Sequence, residues 1–222
     1  EHLYHTMVQS LRNHEEYKNM KTVAKYKMCR RLGAGVFEKC QTQKFAAVEQ
    51  KTVRGGANAK RPKAPSGFGL QLLEKQKVRF SYGISERQLQ NYVKAAGHAK
   101  GTPVTDKLNE LLETRLDNAV YRLGFAPTRR QARQMTSHGH FVVNGKKSTI
   151  PSQALHVGDI ITVREGSRGS ALFTNYVKYM KDRNYPSWLK LSPETMSAEV
   201  IAKPKNDEQF LKFETVLEFY SR

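Results

Sequence analysis

The stretch APTRRQARQMTSHGHFVVNGKK, residues 126–147, combines a basic helix signal with a hairpin signal and contains no acidic residue. Thr128 followed by Gln131 has the spacing of a helix N-cap, so the sequence predicts a helix that begins at Thr128. The apolar run 141–143 ahead of Asn144-Gly145 predicts a strand that ends in a tight hairpin turn. A short helix followed directly by a small sheet indicates an α+β fold.

The cations of this stretch are predicted to form a rigid positive surface. A helix N-terminus exposes unpaired backbone N–H groups and a partial positive charge, and both suit a phosphate group. The side chains expected to face outward from this helix are Arg129, Arg130, Arg133 and Gln134. The turn should hold Asn144 and Lys146 nearby. Such a surface suits the backbone of a folded RNA better than it suits reading a base sequence.

The segments on either side extend this unit. Apolar residues recur at helical spacing from Leu108 to Leu123, which predicts one amphipathic helix that Gly124 ends. Arg115 and Arg122 share its other side. After the hairpin, Thr149 begins the return strand, and residues 160–163 are predicted to form a last strand.

A helical segment is also predicted before this unit. Apolar spacing over residues 70–80 indicates a helix, and Ser85 with Gln88 three residues later is a second capping-box pattern. Residues 51–69 are rich in glycine, proline and cations, so they are predicted to form an irregular basic loop. Its five cations favour RNA contact over the alternative of a flexible linker.

The composition points to a polyanionic partner. The chain has 222 residues and a formal charge of +18. Nucleic acid is the first candidate partner, and an anionic membrane surface is the second. No apolar run is long enough to span a bilayer and no signal-peptide pattern stands at the start, which weakens the membrane interpretation.

The charge is concentrated in two blocks. Residues 21–63 hold twelve Lys or Arg against two acidic residues, and residues 122–147 hold six against none. The segment 166–222 is close to neutral, with nine basic residues against seven acidic ones. This distribution predicts two separate anionic contacts and a C-terminal segment with another task.

The two cysteines are Cys29 and Cys40. Two cysteines do not form a disulfide framework, so we expect a reducing compartment and two buried or free thiols.

Several stretches resemble one known family. LETRLDNAVYRLGFAPTRRQARQMTSHGHFVVNGKK, residues 112–147, with IPSQALHVGDIITVRE, residues 150–165, resembles the S-four RNA-binding domain. GLQLLEKQKVRFSYGISERQLQNY and YPSWLKLSPETMSAEV resemble the flanking segments of the small-subunit ribosomal protein S-four family. The resemblance spans roughly residues 21–222.

The resemblance implies a domain organisation. It consists of an extension at 1–20, an extended basic N-terminal arm at 21–69, and a helical body from 70–107 with 166–222. The S-four domain, two helices and a small antiparallel sheet, is inserted at 108–165.

The resemblance also implies a function. Members bind small-subunit, 16S-type rRNA early and nucleate assembly of the subunit body. They line the channel through which mRNA enters, beside ribosomal proteins S-five and S-three, and the contact with S-five affects decoding accuracy. The implied location is a ribosome of the bacterial cytoplasm, with a mitochondrion or plastid as alternatives, and the protein is expected not to be an enzyme.

The resemblance implies particular site residues. Those expected to bind rRNA within the S-four domain are Arg115, Arg122, Arg129, Arg130, Arg133, Gln134, His138, Asn144 and Lys146. Those expected to bind rRNA before this domain are Arg30, Arg31, Arg54, Lys75 and Lys77. The candidates for contact with mRNA are Lys60, Arg61 and Lys63.

Three further interpretations concern a metal site, an enzyme and a free regulatory factor. Some members of the family bind zinc through four N-terminal cysteines. A structural zinc needs four ligands and only two cysteines are present, so no metal and no cofactor is expected. Arg115-Leu116-Asp117 resembles the catalytic stretch of pseudouridine synthases, but we expect Asp117 to pair with a nearby arginine such as Arg115 or Arg122, or to cap a backbone group. A free regulatory RNA-binding factor is the third alternative, and it would not need the basic arm.

Overall fold

A computed structural model describes residues 25–32, 36–43, 65–173, 176, 185–205 and 211–221. The predicted extension at 1–20 lies outside these residues, as does most of the basic arm. The described residues confirm the α+β class, with helices and one antiparallel sheet.

Eight α-helices occur within the described residues. They are α1 (Lys25–Leu32), α2 (Gly67–Tyr82), α3 (Glu86–Gly97), α4 (Val104–Glu113), α5 (Leu116–Arg122), α6 (Arg129–Ser137), α7 (Glu165–Arg168) and α8 (Phe213–Tyr220). A short 3-10 helix follows α1 at Glu38–Cys40. Over this part of the chain, no helix combines the length and the apolar character that crossing a membrane requires.

One antiparallel sheet holds five strands. They are β1 (Phe141–Val143), β2 (Lys146–Ser148), β3 (Ile160–Val163), β4 (Leu189–Ser192) and β5 (Ser197–Val200). Their order across the sheet is β2-β1-β3-β5-β4. Strand β3 therefore lies at the centre, between the hairpin and the C-terminal pair of strands.

The contacts divide the chain into two compact units. The first unit is Glu1–Gln90 with Phe210–Arg222, and the second unit is Asn91–Gln209. The domain organisation expected from the sequence differs, because it grouped all of 166–222 with the helical body. Strands β4 and β5 instead extend the sheet of the second unit, since Ile161 of β3 pairs with Ala198 of β5.

The core of the second unit lies between one face of the sheet and helices α5 and α6. Its buried side chains include Leu116, Leu123, Met135, Phe141, Ile161, Phe173, Trp188 and Val200. Phe125 stacks on the ring of Tyr176 with 4.4 Å between centroids. Residues that follow the predicted S-four domain thus complete its apolar core, and burial of this surface is the main source of stability.

In the first unit, α2 packs against α8, and Phe68 stacks on Phe219 at 5.6 Å between centroids. A smaller core holds the buried residues Cys29, Leu32, Val36 and Cys40. Cys29 and Cys40 are joined by a disulfide, so the prediction of two thiols was wrong. The two cysteines lie eleven positions apart in the sequence, one in α1 and the other at the end of the 3-10 helix.

The long helix predicted from Leu108 to Leu123 is two helices. Arg115 adopts an extended conformation between α4 and α5, with φ −64° and ψ 138°. Its backbone forms a β-bridge with Ala154, and the N–H of Leu116 donates to the carbonyl of Gln153 at 2.9 Å. This break carries no proline or glycine signal, because a segment about forty residues further along the chain causes it.

The local signals of the opening stretch are confirmed. The side chain of Thr128 accepts a hydrogen bond from the N–H of Gln131, so α6 starts where its N-cap predicts. Asn144 and Gly145 have φ values of 50° and 78°, as a tight hairpin turn between β1 and β2 requires. The return strand is Lys146–Ser148, directly after the turn, and not at Thr149 as predicted.

Candidate nucleic-acid interface

One side of α6 carries an exposed polar stripe. Arg130, Gln134 and His138 are exposed and recur every four residues, which places them above one another on the same helical face. The stripe continues beyond the helix, because the side chain of Lys147 lies against Gly139. Gly139 has no Cβ, which lets the lysine pass closely, and its φ of 73° separately favours glycine.

A shallow open depression lies along this stripe. Its lining includes Thr128, Arg130, Gln131, Gln134, His138 and His140. Lys146 and Lys147 are exposed on β2 of the hairpin that follows. For Arg130, Lys146 and Lys147, the structure shows no carboxylate partner within its described part. We call Arg130, Gln134, His138, Lys146 and Lys147 the α6 surface.

Arg129 and Arg133 are predicted to face outward, yet both turn toward α5. Nε of Arg129 donates to Oδ1 of Asn118 at 2.9 Å, and its guanidinium lies 4.6 Å from the ring centre of Tyr121. Nη1 of Arg133 lies 3.6 Å from Oδ2 of Asp117. The prediction of outward side chains is wrong for these two, because acceptors on α5 compete for them.

Arg115 is almost completely buried, with 1% of its surface exposed. It donates to both carboxylate oxygens of Asp117, at 3.0 and 2.7 Å, and to the hydroxyl of Tyr92 at 2.7 Å. Burial alone would lower the pKa of Arg115, but Asp117 and Tyr92 raise it above its ordinary value. The side chain expected to bind rRNA thus holds α5 in place, and Asp117 pairs with Arg115, one of the predicted partners.

Arg122 is likewise held within the second unit. Its guanidinium donates to both carboxylate oxygens of Glu113, at 2.9 and 2.7 Å. Glu113 also accepts from the amide of Asn118 at 2.9 Å. Asp117 and Glu113 therefore partner three of the five arginines that were expected to bind rRNA within the S-four domain.

Asn144 lies at the tip of the hairpin, where both the nitrogen and the oxygen of its amide form a hydrogen bond. Its Nδ2 donates to Oδ1 of Asp159 at 2.7 Å, and its Oδ1 accepts from the N–H of Ile160 at 2.8 Å. The other oxygen of Asp159 accepts from the N–H of His156 at 2.7 Å. These bonds fasten the hairpin to the turn before β3 and thereby position Lys146 and Lys147.

His140 lies beside the α6 surface, where Nδ1 is 3.0 Å from the hydroxyl oxygen of Ser167. Burial, together with the neighbouring charges of His138 and Arg164, lowers the pKa of His140 below its ordinary value. The ring is therefore neutral near pH 7. Across the described residues, no group of three or more His, Cys, Asp or Glu side chains is placed to hold a metal ion.

The candidates in the first unit fall into two groups. Lys75 is 6% exposed and Nζ lies 2.8 Å from Oε1 of Glu86, while Lys77 pairs with Glu74 at 2.7 Å. Both lysines are thus occupied within the helical body. Arg30 and Arg31, in contrast, are exposed on α1.

The remaining candidates, Arg54, Lys60, Arg61 and Lys63, lie outside the described residues. Sequence reasoning left Lys147 out of the expected site, although it belongs to the opening basic stretch. The sequence signal that could have included it is its position two residues after Gly145, in the predicted turn.

Comparisons with known families agree with this geometry. A sequence model described as "Ribosomal protein S4/S9 N-terminal domain" matches residues 6–113. A second one, described as "S4 domain", matches residues 114–161. The second match covers α5, α6, the β1–β2 hairpin, the whole connection to β3 and the first two residues of β3.

Curated relatives extend the similarity over most of the chain. The chain is 40% identical over 201 residues to small ribosomal subunit protein uS4 of Syntrophomonas wolfei subsp. wolfei, covering 88% of this chain and 96% of the relative. It is 41% identical over 201 residues to the protein of that name from Thermus thermophilus, with the same two coverages. With that of Roseiflexus castenholzii the identity is 44% over 200 residues, covering 88% and 96%.

With these matches, the chain falls in the class of structural proteins of the small ribosomal subunit, which are not enzymes. Within this class, the chain belongs to the uS4 family of small ribosomal subunit proteins.

Proposed function

We propose that the α6 surface binds the sugar–phosphate backbone of folded small-subunit rRNA. The observation that carries this proposal is the pairing of exposed Arg130 with exposed Lys146 and Lys147 on two adjoining elements of one rigid unit. Cations without carboxylate partners are available to neutralise phosphates. Their positions are set by the N-cap at Thr128 and by the bonds of Asn144.

The internal ion pairs strengthen this assignment. Asp117 and Glu113 neutralise Arg115 and Arg122, so these arginines contribute rigidity and little outward field. Gln134 and His138 supply further hydrogen-bonding groups between the cations of the stripe. The surface therefore suits recognition of RNA shape, with few groups to read base edges.

A matched pair of triple variants tests the proposal. In the first, Arg130, Lys146 and Lys147 are each replaced by Ala; in the control, the exposed Lys94, Lys100 and Lys205 are replaced. Affinity for naked small-subunit rRNA is measured at several salt concentrations. The first variant should lose about 1.5 kcal/mol or more of binding free energy per charge-assisted contact. The slope of log affinity against log salt concentration should become shallower by roughly 0.7 to 0.9 per lost phosphate contact.

The control variant changes the net charge equally and should keep most of the affinity. Equal losses in both variants would indicate a general charge effect and contradict a localised site. Unchanged affinity in the first variant would exclude the α6 surface.

We propose, from the resemblance, that Lys60, Arg61 and Lys63 line the channel through which mRNA enters. Their replacement by Ala should leave rRNA affinity unchanged and slow the translation of structured mRNA. Failure of subunit assembly in this variant would contradict the assignment, because it would show that these cations bind rRNA.

We further propose that the protein binds its rRNA early, as a nucleus of subunit body assembly, and contacts ribosomal proteins S-five and S-three. Through S-five it would contribute to translational accuracy. The resemblance supports these roles and a ribosome of bacterial type, in the bacterial cytoplasm or in an organelle. A cross-linking map of the intact subunit tests the two protein contacts.

A further inference from the structure

Helix α1 presents an aromatic ring among cations on its solvent side. Tyr26 is 50% exposed, and Lys27, Arg30 and Arg31 are exposed with it. At about 100° per residue, these four side chains occupy one continuous side of the helix, opposite the buried Cys29 and Leu32. The eight residues of α1 include no acidic side chain.

The other side of α1 is fixed within the first unit. Cys29 is bonded to Cys40, and both are buried with Leu32 and Val36. Lys25 turns toward this side, with Nζ 5.9 Å from the ring centre of Phe37. The exposed side is therefore held in a fixed orientation before any partner binds, which lowers the entropy cost of binding.

We propose that this side of α1 binds an unpaired RNA base, with the ring of Tyr26 as the stacking platform. The proposal rests on the proposed rRNA-binding function and adds a second contact of a different kind. Single-stranded loops and bulges expose base faces that stack on aromatic side chains, whereas a duplex hides them. The occupant is therefore an unpaired segment of small-subunit rRNA.

The cations around the ring match the flanking phosphates. Nε of Arg30 donates to the backbone carbonyl of Tyr26 at 3.4 Å, which lays this side chain along the helix beside Tyr26. Lys27 and Arg31 lie further round the same side. A ring with a cation beside it and two more within one turn combines stacking with phosphate neutralisation, the combination that binds single strands irrespective of base identity.

The ring and the charges are tested separately in the full chain. Tyr26→Phe keeps the ring, whereas Tyr26→Leu keeps an apolar side chain without a π-face. Affinity for naked small-subunit rRNA should stay within about twofold for Tyr26→Phe and fall about 5- to 100-fold for Tyr26→Leu. Because the side chain is half exposed, both variants should unfold at the same temperature as the natural chain.

A fluorescent readout reports the stacking directly. Trp188 is the only tryptophan of the chain and is 2% exposed, so the natural protein supplies the background signal. The indole introduced by Tyr26→Trp should be quenched when rRNA saturates the protein, because a stacked base quenches it. A protein partner on this side would leave the indole unquenched by naked rRNA.

The outcomes separate this inference from the proposed function. An unquenched indole at saturation, or full affinity of Tyr26→Leu, overturns the stacking site while the α6 surface stands. If the triple variant of Arg130, Lys146 and Lys147 loses affinity and the Tyr26 variants do not, the stacking site is also overturned while the α6 surface stands. A natural chain that fails to bind rRNA refutes the proposed function itself.

Discussion

At the scale of single residues, Arg115 shows how a cation expected to bind RNA is engaged by its own fold. Its guanidinium is buried against Asp117 and Tyr92, so both members of the Arg115–Asp117 ion pair are removed from water. We expect Arg115→Ala to destabilise the second unit by about 3–5 kcal/mol, because the carboxylate of Asp117 would stay buried without its partner. Denaturant unfolding followed by the fluorescence of Trp188 measures this loss.

The matched control is Arg130→Ala, which removes an exposed cation of the same type. Its effect on stability should stay within about 0.5 kcal/mol. Equal stability of the two variants would contradict the structural role of Arg115. For rRNA affinity the order should reverse. Per molecule of folded protein, Arg130→Ala should weaken binding more than Arg115→Ala does.

At the scale of elements, the β1–β2 hairpin depends on Asn144. Its φ of 50° is costly for most residues, and its amide binds both Asp159 and Ile160. Asn144→Ala should cost about 1–2 kcal/mol through the left-handed backbone alone, with a further loss from the two hydrogen bonds. The same fluorescence-detected unfolding checks it, with Lys146→Ala as a neighbour that should have little effect on stability.

The junction of α2, α3 and α8 predicts a pH dependence. Burial would raise the pKa of Glu86, but hydrogen bonds from Lys75 and Tyr220 and the charges of Lys75 and Arg79 lower it below its ordinary value of 4.5. A carboxylate with a lowered folded-state pKa contributes stability that is complete above the unfolded-state value. This contribution is lost as the pH falls from about 4.5 through the lower folded-state pKa.

Replacing Glu86 by Gln should therefore lower stability at neutral pH and flatten the loss of stability below pH 4.5. Urea midpoints of the helical signal between pH 7 and pH 3 measure the difference. Parallel profiles for the natural chain and the variant would show that Glu86 does not control acid unfolding.

At the scale of the whole molecule, the division into two units predicts which fragments fold. The second unit, Asn91–Gln209, contains its own core and all five strands. We expect a fragment of residues 91–209 to unfold cooperatively on heating. A fragment of residues 108–165 should not unfold cooperatively. It lacks the core residues Phe173 and Trp188, the strand β5 that pairs with β3, and the strand β4 beyond it.

Circular dichroism during heating compares the two fragments, and near-ultraviolet signals from Trp188 report packing in the longer one. Cooperative unfolding of the shorter fragment would show that the C-terminal strands are dispensable for the fold.

The sequence alone was enough to predict the features that depend on neighbouring residues. The N-cap at Thr128, the capping box at Ser85 and the turn at Asn144-Gly145 all occur where the pattern predicted them. These signals are reliable because the atoms that form each hydrogen bond or turn lie within a few residues. The excess of cations and the family resemblance indicated the class of partner.

Which cations face outward depends on contacts made in the folded chain. Arg133 meets Asp117 from sixteen positions away, and Asn144 meets Asp159 from fifteen, so an acid-free stretch still acquires acidic partners. Strands β4 and β5 join the sheet, and Cys29 bonds to Cys40, through contacts that no local pattern encodes. The physical reason is that charge pairing and burial depend on distance in space, which the spacing along the chain does not determine.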